Sequence, residues 1–139
     1  AVVERAVAAW RAGTPADQLA TDGWVTQQWQ HFLAVMPADV DAAAMAELDA
    51  AFHFTQSGNS EILVAWLELA IAKGYAPAEP MLEAFLLNVG RRKFLTPLYK
   101  ALLATPAGRE RALAIYAQAR PRYHAVSTKT LDELLGWKG

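Results

Sequence analysis

The stretch NSEILVAWLELAIAKG, residues 59–74, contains the elements of a complete helix. Its apolar side chains recur at the spacing that places them on one helical face: Leu63, Trp66, Leu67, Ala70 and Ile71. Asn59 or Ser60 precedes this stripe as a helix cap, because a short polar side chain can accept a hydrogen bond from the first free amides. Gly74 follows it, where a left-handed residue commonly ends a helix. The stretch therefore predicts an amphipathic helix that buries one face.

The same periodicity recurs along the rest of the chain and gives seven further apolar stripes. They span residues 3–10, 25–36, 44–52, 82–89, 95–102, 113–117 and 131–135. Runs that alternate β-branched and polar residues are absent, and so are Asn-Gly and Asp-Gly hairpin turns. We therefore predict an all-α fold of about eight or nine helices. The short connections favour a two-layer array of antiparallel helix pairs, superhelical in the manner of HEAT or armadillo repeats, in a single domain over residues 1–139.

Prolines and glycines set the expected ends of several helices. Thr14-Pro15 and Thr105-Pro106 each read as a capping threonine followed by a proline in the first helical turn. Gly90 and Gly136 lie where a left-handed residue is expected to end a helix. Asp39 and Asp41 are expected to cap a helix start rather than to catalyse a reaction.

Composition excludes several classes of protein. The chain has 139 residues, of which 54% are hydrophobic and 19% are charged, so it is too apolar for a disordered segment. It has no cysteine, which excludes disulfides, thiolate catalysis and cysteine-based zinc sites. No apolar run is long enough to span a membrane, and no signal peptide is recognisable. Because the chain opens inside a predicted helix without an initiator methionine, we expect it to be part of a longer protein.

Known catalytic motifs are also missing. His31, His53 and His124 stand alone, and none belongs to an HExxH pair. We therefore predict that each is a surface or capping histidine and that this chain alone builds no zinc site. No GxSxG elbow, Walker loop or GxGxxG loop is present.

Charge is distributed unevenly along the chain. Residues 1–89 have three basic residues against eleven acidic ones, a formal charge of −8. Residues 90–139 have ten basic residues against three acidic ones, a formal charge of +7. A basic C-terminal third indicates that this part of the chain binds an anion.

The most compact basic feature is the cationic cluster, Arg91, Arg92 and Lys93. One interpretation is a solvated helix end, since cations near a helix C-terminus are common. A second is recognition of a carboxylate, because the planar arginine fork holds a carboxylate through two parallel hydrogen bonds and a nearby lysine adds charge. A third is nucleic-acid binding, for which a further basic set is available: Lys100, Arg109, Arg111, Arg120 and Arg122. No DNA- or RNA-reading motif accompanies them.

Several motifs resemble one known family. They are NSE at 59–61 leading into a helix with a tryptophan, GRRKF at 90–94, PLYK at 97–100 and YHAVST at 123–128. Together they are similar to the C-terminal helical domain of leukotriene A4 hydrolase and its bacterial aminopeptidase relatives. The resemblance is specific over residues 59–100 and looser elsewhere.

The resemblance implies a role for this chain within a larger enzyme. Family members are zinc aminopeptidases whose zinc ligands and catalytic groups lie in a separate catalytic domain, so this chain is expected to hold no cofactor itself. The expected partners are that catalytic domain of the same chain and a short peptide substrate, without nucleic acid or membrane. By motif match, Arg91 and Lys93 would bind the C-terminal carboxylate of the peptide, and Arg92 has no implied role. The alternative is a non-catalytic helical interaction module or, less favoured, a nucleic-acid-binding domain.

Arg91 and Lys93 can bind the same carboxylate only if the backbone lets their side chains point in the same direction. In a continuous helix, side chains two positions apart point about 200° apart, whereas in an extended segment they point the same way. We therefore predict that Gly90 ends the fifth helix and that residues 91–93 lie in the connection or in an irregular first turn. Thr96-Pro97 further suggests that the next helix begins late.

Overall fold

The computed structural model describes residues 1–139 and contains eight α-helices and no strand. The helices are α1 (Val2–Arg11), α2 (Thr26–Ala34), α3 (Ala42–Phe52), α4 (Ser60–Lys73), α5 (Glu79–Asn88), α6 (Arg92–Leu102), α7 (Pro106–Ala119) and α8 (Ala125–Leu135). The predicted all-α class and the number of helices are confirmed. None of the helices combines the length and the apolar character that crossing a membrane requires.

The chain divides into two compact units, Ala1–Ala76 and Pro77–Gly139. In the first unit, α4 packs on α2, and α1 also packs on α2. The centre of this unit is aromatic: the fully buried Trp66 stacks on Phe54, with ring centroids 4.9 Å apart. The indole N–H of Trp66 donates to the hydroxyl of Thr55, 2.9 Å away. This bond satisfies a buried donor that would otherwise destabilise the unit.

In the second unit, α7 packs against α5 and α6, and α6 packs against α8. Tyr99 on α6 is fully buried, and its hydroxyl lies 3.0 Å from that of Tyr123. Tyr123 in turn donates to the backbone carbonyl of Leu86 on α5. These two tyrosines therefore connect α5, α6 and the segment before α8 through the interior of the unit.

Five of the predicted helix ends are confirmed. Asn59 caps α4 by accepting from the amides of Glu61 and Ile62, and Thr105 caps α7 by accepting from Gly108. Asp41 caps α3 by accepting from the amide of Ala44. Two glycines end their helices in the left-handed region: Gly74, with φ of 67°, and Gly136, with φ of 64°.

Two predicted boundaries are wrong. Pro15 precedes only a short 3₁₀ turn, Ala16–Gln18. Gly90 is not left-handed, because α5 already ends at Asn88 and Val89 continues in extended conformation.

The start of α6 also differs from the prediction. The carbonyl of Arg91 accepts from the amides of Phe94 and Leu95, so α6 begins before Pro97 and contains it. Pro97 removes one backbone donor, but the helix retains the burial of Phe94 and Leu95, which are 5% and 0% exposed. Burying two such side chains outweighs a single lost backbone hydrogen bond.

Gly108, in the first turn of α7, provides a test of packing in the second unit. A Cβ atom added there would lie 2.1 Å from the carbonyl oxygen of Leu102, which is backbone and cannot move aside freely. We expect Gly108→Ala to lower the free energy of unfolding by about 1–3 kcal/mol, although alanine favours helices. Thermal unfolding followed by circular dichroism measures this change.

Gly90→Ala is the matched control in the same unit. A Cβ atom at Gly90 meets no atom within 4 Å, and the backbone there is not left-handed. The free energy of unfolding of this variant should lie within about 0.5–1 kcal/mol of that of the unchanged protein, or exceed it. Equal unfolding temperatures for the two variants would contradict the close contact at Gly108.

Candidate functional site

An open groove of about 1070 Å³ lies in the second unit, beside the first turns of α6 and α8. Its lining comes from residues 90–93, 96–97 and 124–127, together with Thr130. Three of these residues are arginine or lysine, one is a histidine, and none is acidic. The groove therefore concentrates positive charge without an acidic side chain in its walls.

The cationic cluster forms the start of α6. Arg91 is the N-cap residue, with extended backbone angles of φ −76° and ψ 121°, and Arg92 and Lys93 begin the first turn. All three side chains are exposed. Because the first amides of a helix carry partial positive charge, cations at this end are disfavoured by about 0.3–1 kcal/mol each. The three residues are exposed at a helix end, as the first interpretation expected, but this end is the N-terminus of α6 and not the C-terminus that it assumed.

Two members of the cluster lie against the same aromatic ring. The guanidinium carbon of Arg91 is 5.4 Å from the centroid of the Phe94 ring, and the ammonium nitrogen of Lys93 is 5.2 Å from it. Both distances are within the range of a cation–π contact. Arg92 takes another direction, and its guanidinium donates to the hydroxyl of Thr130 on α8, 3.3 Å away. The structure thus brings Arg91 and Lys93 to one ring and separates Arg92 from them.

The prediction that residues 91–93 lie in the connection or in the first turn of the next helix is confirmed. Arg91 lies outside the helix, in extended backbone, while Lys93 lies inside it. Both side chains reach the Phe94 ring although the backbone changes conformation between the two residues. Their proposed contact with a carboxylate stays a prediction.

The first turn of α8 forms the other part of the groove lining. His124 is the N-cap residue, is exposed, and makes no capping hydrogen bond with its side chain. The buried Ser127 donates its hydroxyl to the carbonyl of Gly90, 3.2 Å away, and so connects α8 to the segment before α6. The sequence did not identify His124, Ser127 or Thr130 as groove residues, since nothing local to YHAVST indicates that it folds beside residues 90–93.

Asp132 holds α8 to α7 below this turn. It accepts two hydrogen bonds from the guanidinium of Arg120, at 2.9 and 2.7 Å, and one from the hydroxyl of Tyr116, at 2.6 Å. The bonds from Arg120, followed by that from Tyr116, lower the pKa of Asp132 from 3.8 to about 2. A carboxylate that accepts several hydrogen bonds in its ionised form favours that form.

The other basic side chains of the second unit are mostly committed to structural contacts. Arg109 donates to the carbonyl of Leu135, Arg111 pairs with Glu79, and Arg122 donates to the carbonyl of Leu87. Arg120 is bound to Asp132. Of the five residues that would extend a phosphate-binding surface, four therefore have partners within the unit. This distribution favours a confined anion site over an extended one.

The three histidines lie in three different environments. His31 lies 2.5 Å from a carboxylate oxygen of Glu4, His53 ends α3 in the left-handed region, and His124 lines the groove. No three histidine, aspartate or glutamate side chains come together as metal ligands. The residues of this chain therefore do not fit a zinc site.

Comparisons with known proteins agree on one family. The family model described as "Leukotriene A4 hydrolase, C-terminal" matches residues 24–135. Leukotriene A-4 hydrolase of Xenopus laevis is 32% identical over 76 residues, which is 55% of this chain and 12% of that protein. Leucine aminopeptidase 2 of Neurospora crassa is 30% identical over 89 residues, which is 64% of this chain and 13% of that protein. The chain thus spans about an eighth of the length of these curated relatives.

A solved structure has the same fold. The structure of native yeast LTA4 hydrolase matches 98% of this chain and 24% of its own, with a TM-score of 0.74 and 23% sequence identity. At this identity the likeness supports the fold alone.

Asp132 gives a pH-dependent test of the contact between α7 and α8. Its pKa in the folded protein, about 2, is below its ordinary value of 3.8, so its carboxylate stabilises the fold above pH 3.8. That contribution is lost as the pH falls from about 4 through 2. We expect Asp132→Asn to be less stable than the unchanged protein at pH 7 and to approach it in stability below pH 3, measured by urea unfolding.

Glu133→Gln is the control, since Glu133 is exposed on the same helix. Its stability should follow that of the unchanged protein at every pH. A difference between Asp132→Asn and the unchanged protein that stayed constant from pH 7 to pH 2 would refute the role of the ionised carboxylate.

Proposed function

Because this chain belongs to the family of leukotriene A4 hydrolase C-terminal domains, we propose that it lines the active-site cleft of a longer aminopeptidase. In this proposal the chain does not catalyse a reaction by itself. It supplies a binding surface to the catalytic domain that the longer protein carries. Its substrate contact is the groove beside α6 and α8, and the substrates are short peptides with a free C-terminal carboxylate.

The observation that carries this proposal is the position of the cationic cluster. Three like charges stand at the positive end of a helix, beside a groove whose lining contains no acidic residue. The helix dipole disfavours cations at this end of a helix, and neighbouring like charges repel one another. A bound carboxylate relieves both effects at once.

Arg91 and Lys93 are the proposed carboxylate-binding pair. The Arg91 fork can give two parallel hydrogen bonds to a carboxylate, and Lys93 adds a less directional charge. Their shared position on the Phe94 ring restricts both side chains before the ligand arrives. Less conformational freedom is then lost on binding than for two unrestrained side chains.

Anchoring the far end of a peptide also assists the reaction at its near end. A peptide held by its carboxylate presents its N-terminal bond at a fixed distance from this chain, so only peptides of suitable length reach the catalytic groups. Binding energy from the non-reacting end is thereby used to position the reacting bond. The zinc ion expected in this family belongs to the catalytic domain, and no step assigned to this chain involves it.

Arg91→Ala in the full-length enzyme tests the proposal. A hydrogen bond to a charged group contributes about 1.5–3 kcal/mol, so kcat/KM for a free tripeptide should fall by about 10- to 150-fold. The same tripeptide with an amidated C-terminus has no carboxylate to bind, so its kcat/KM should change little. Steady-state hydrolysis of both peptides by both enzymes measures the difference.

Lys100→Ala is the matched control, since Lys100 is an exposed cation on the same helix outside the groove. It should leave kcat/KM within about 2-fold for both peptides. Equal losses on the free and amidated peptides after Arg91→Ala would reject carboxylate anchoring. Binding of a folded protein partner or of a nucleic acid to this groove, with no effect on hydrolysis, would favour the interaction-module or nucleic-acid alternatives instead.

A further inference from the structure

The groove contains more positive charge than one carboxylate requires. The proposed carboxylate contacts use Arg91 and Lys93, which both lie on Phe94. Arg92 and His124 line the same groove and take no part in that pair. The family resemblance gives Arg92 no role, so its presence there calls for a separate explanation.

Arg92 is held toward α8 by a single contact. One of its guanidinium nitrogens donates to the Thr130 hydroxyl, 3.3 Å away. A guanidinium has five N–H donors, so this neutral contact orients the group while leaving most of its donors for a ligand. Thr130 is itself fixed, because its hydroxyl donates to the carbonyl of Val126 one turn earlier.

His124 and the start of α8 add to the same side of the groove. The imidazole offers an N–H donor and is exposed at the N-cap position without a capping hydrogen bond. The Ser127 hydroxyl is directed to Gly90 and so does not cap the helix either. The first amides of α8 therefore reinforce the positive charge of Arg92 on this side of the groove, and the His124 imidazole adds a hydrogen-bond donor.

We infer that the groove has a second anion subsite, formed by Arg92 with His124, that selects peptides whose C-terminal residue is glutamate or aspartate. This inference rests on the proposed function, since the α-carboxylate of the same residue would occupy Arg91 and Lys93. The carboxylate of this acidic side chain is joined to the α-carbon by a short flexible methylene chain and would bind on the α8 side of the groove. A volume of about 1070 Å³ accommodates such a residue.

Charge also distinguishes this substrate class from a neutral one. A C-terminal glutamine has the shape of glutamate but replaces the second carboxylate by an amide. Next to a guanidinium, the carboxylate has a full negative charge and can accept two parallel hydrogen bonds, whereas the amide has a single, neutral acceptor oxygen. The selection therefore depends on charge and not on the size of the side chain.

The test uses two tripeptides that differ only in ending with glutamate or glutamine, hydrolysed by the full-length protein that carries this chain. We expect kcat/KM to be about 10-fold higher for the glutamate peptide, as one charge-assisted hydrogen bond allows. Arg92→Gln should reduce this ratio to about 2 or less, His124→Gln should reduce it partly, and Arg92→Lys should retain part of it.

Lys129→Gln is the matched control, because Lys129 is an exposed cation on α8 that does not line the groove. It should leave the ratio unchanged. Circular dichroism and urea unfolding of each variant verify that the second unit is folded, and Arg92→Lys keeps the test decisive if Arg92→Gln is destabilised.

Two results would overturn the inference: a ratio near 1 in the unchanged enzyme, and a ratio unaffected by Arg92→Gln. In the second case, equal losses on both peptides would assign Arg92 to the α-carboxylate. Arg91→Ala separates this failure from failure of the proposed function: if it lowers kcat/KM for both peptides but not for their amidated forms, carboxylate anchoring stands even where the second subsite does not.

Discussion

Burial of Phe94 and Leu95 fixes the start of α6, and the candidate site follows from that constraint. Both side chains lie in the core of the second unit, and their backbone amides both donate to the carbonyl of Arg91, so the helical turn forms before Pro97. The helix therefore begins at Arg92, and the three residues before Phe94 stand at its N-terminus. The cationic cluster is placed by the core and not by the preference of its own side chains, which would favour the opposite end of a helix.

Position in the fold also separates the members of the cluster. Phe94 presents its ring to Arg91 and Lys93, while Arg92 reaches Thr130 on α8. The separate position of Arg92 depends on the position of α8, which several contacts within the second unit fix. Asp132 connects α8 to α7 through Arg120 and Tyr116, and Ser127 connects it to Gly90. The groove thus takes its form from partly buried contacts that hold α8 in place within the second unit.

The helices were predictable from the sequence because their signals are local. Apolar spacing located all eight, and Asn59, Asp41 and Thr105 act as caps through amides two or three residues away. The start of α6 was not predictable by the same reasoning, because Pro97 argues for a late start when only neighbouring residues are considered. The core outweighs that local preference. Residues of α8 were missed for a related reason: Thr130 meets Arg92 across a separation of 38 residues, and no local pattern encodes such a contact.

Charge at the start of α6 does not stabilise the fold, which is why we propose a binding role for it. Exposed ion pairs contribute little to folding, and a group of like charges at a helix N-terminus opposes it. Elsewhere in the second unit, Arg111 and Arg120 each have an acidic partner that offsets this effect. The lining of the groove contains no acidic residue. In the proposed function, a bound carboxylate adds negative charge there, and part of its affinity comes from the repulsion that it removes.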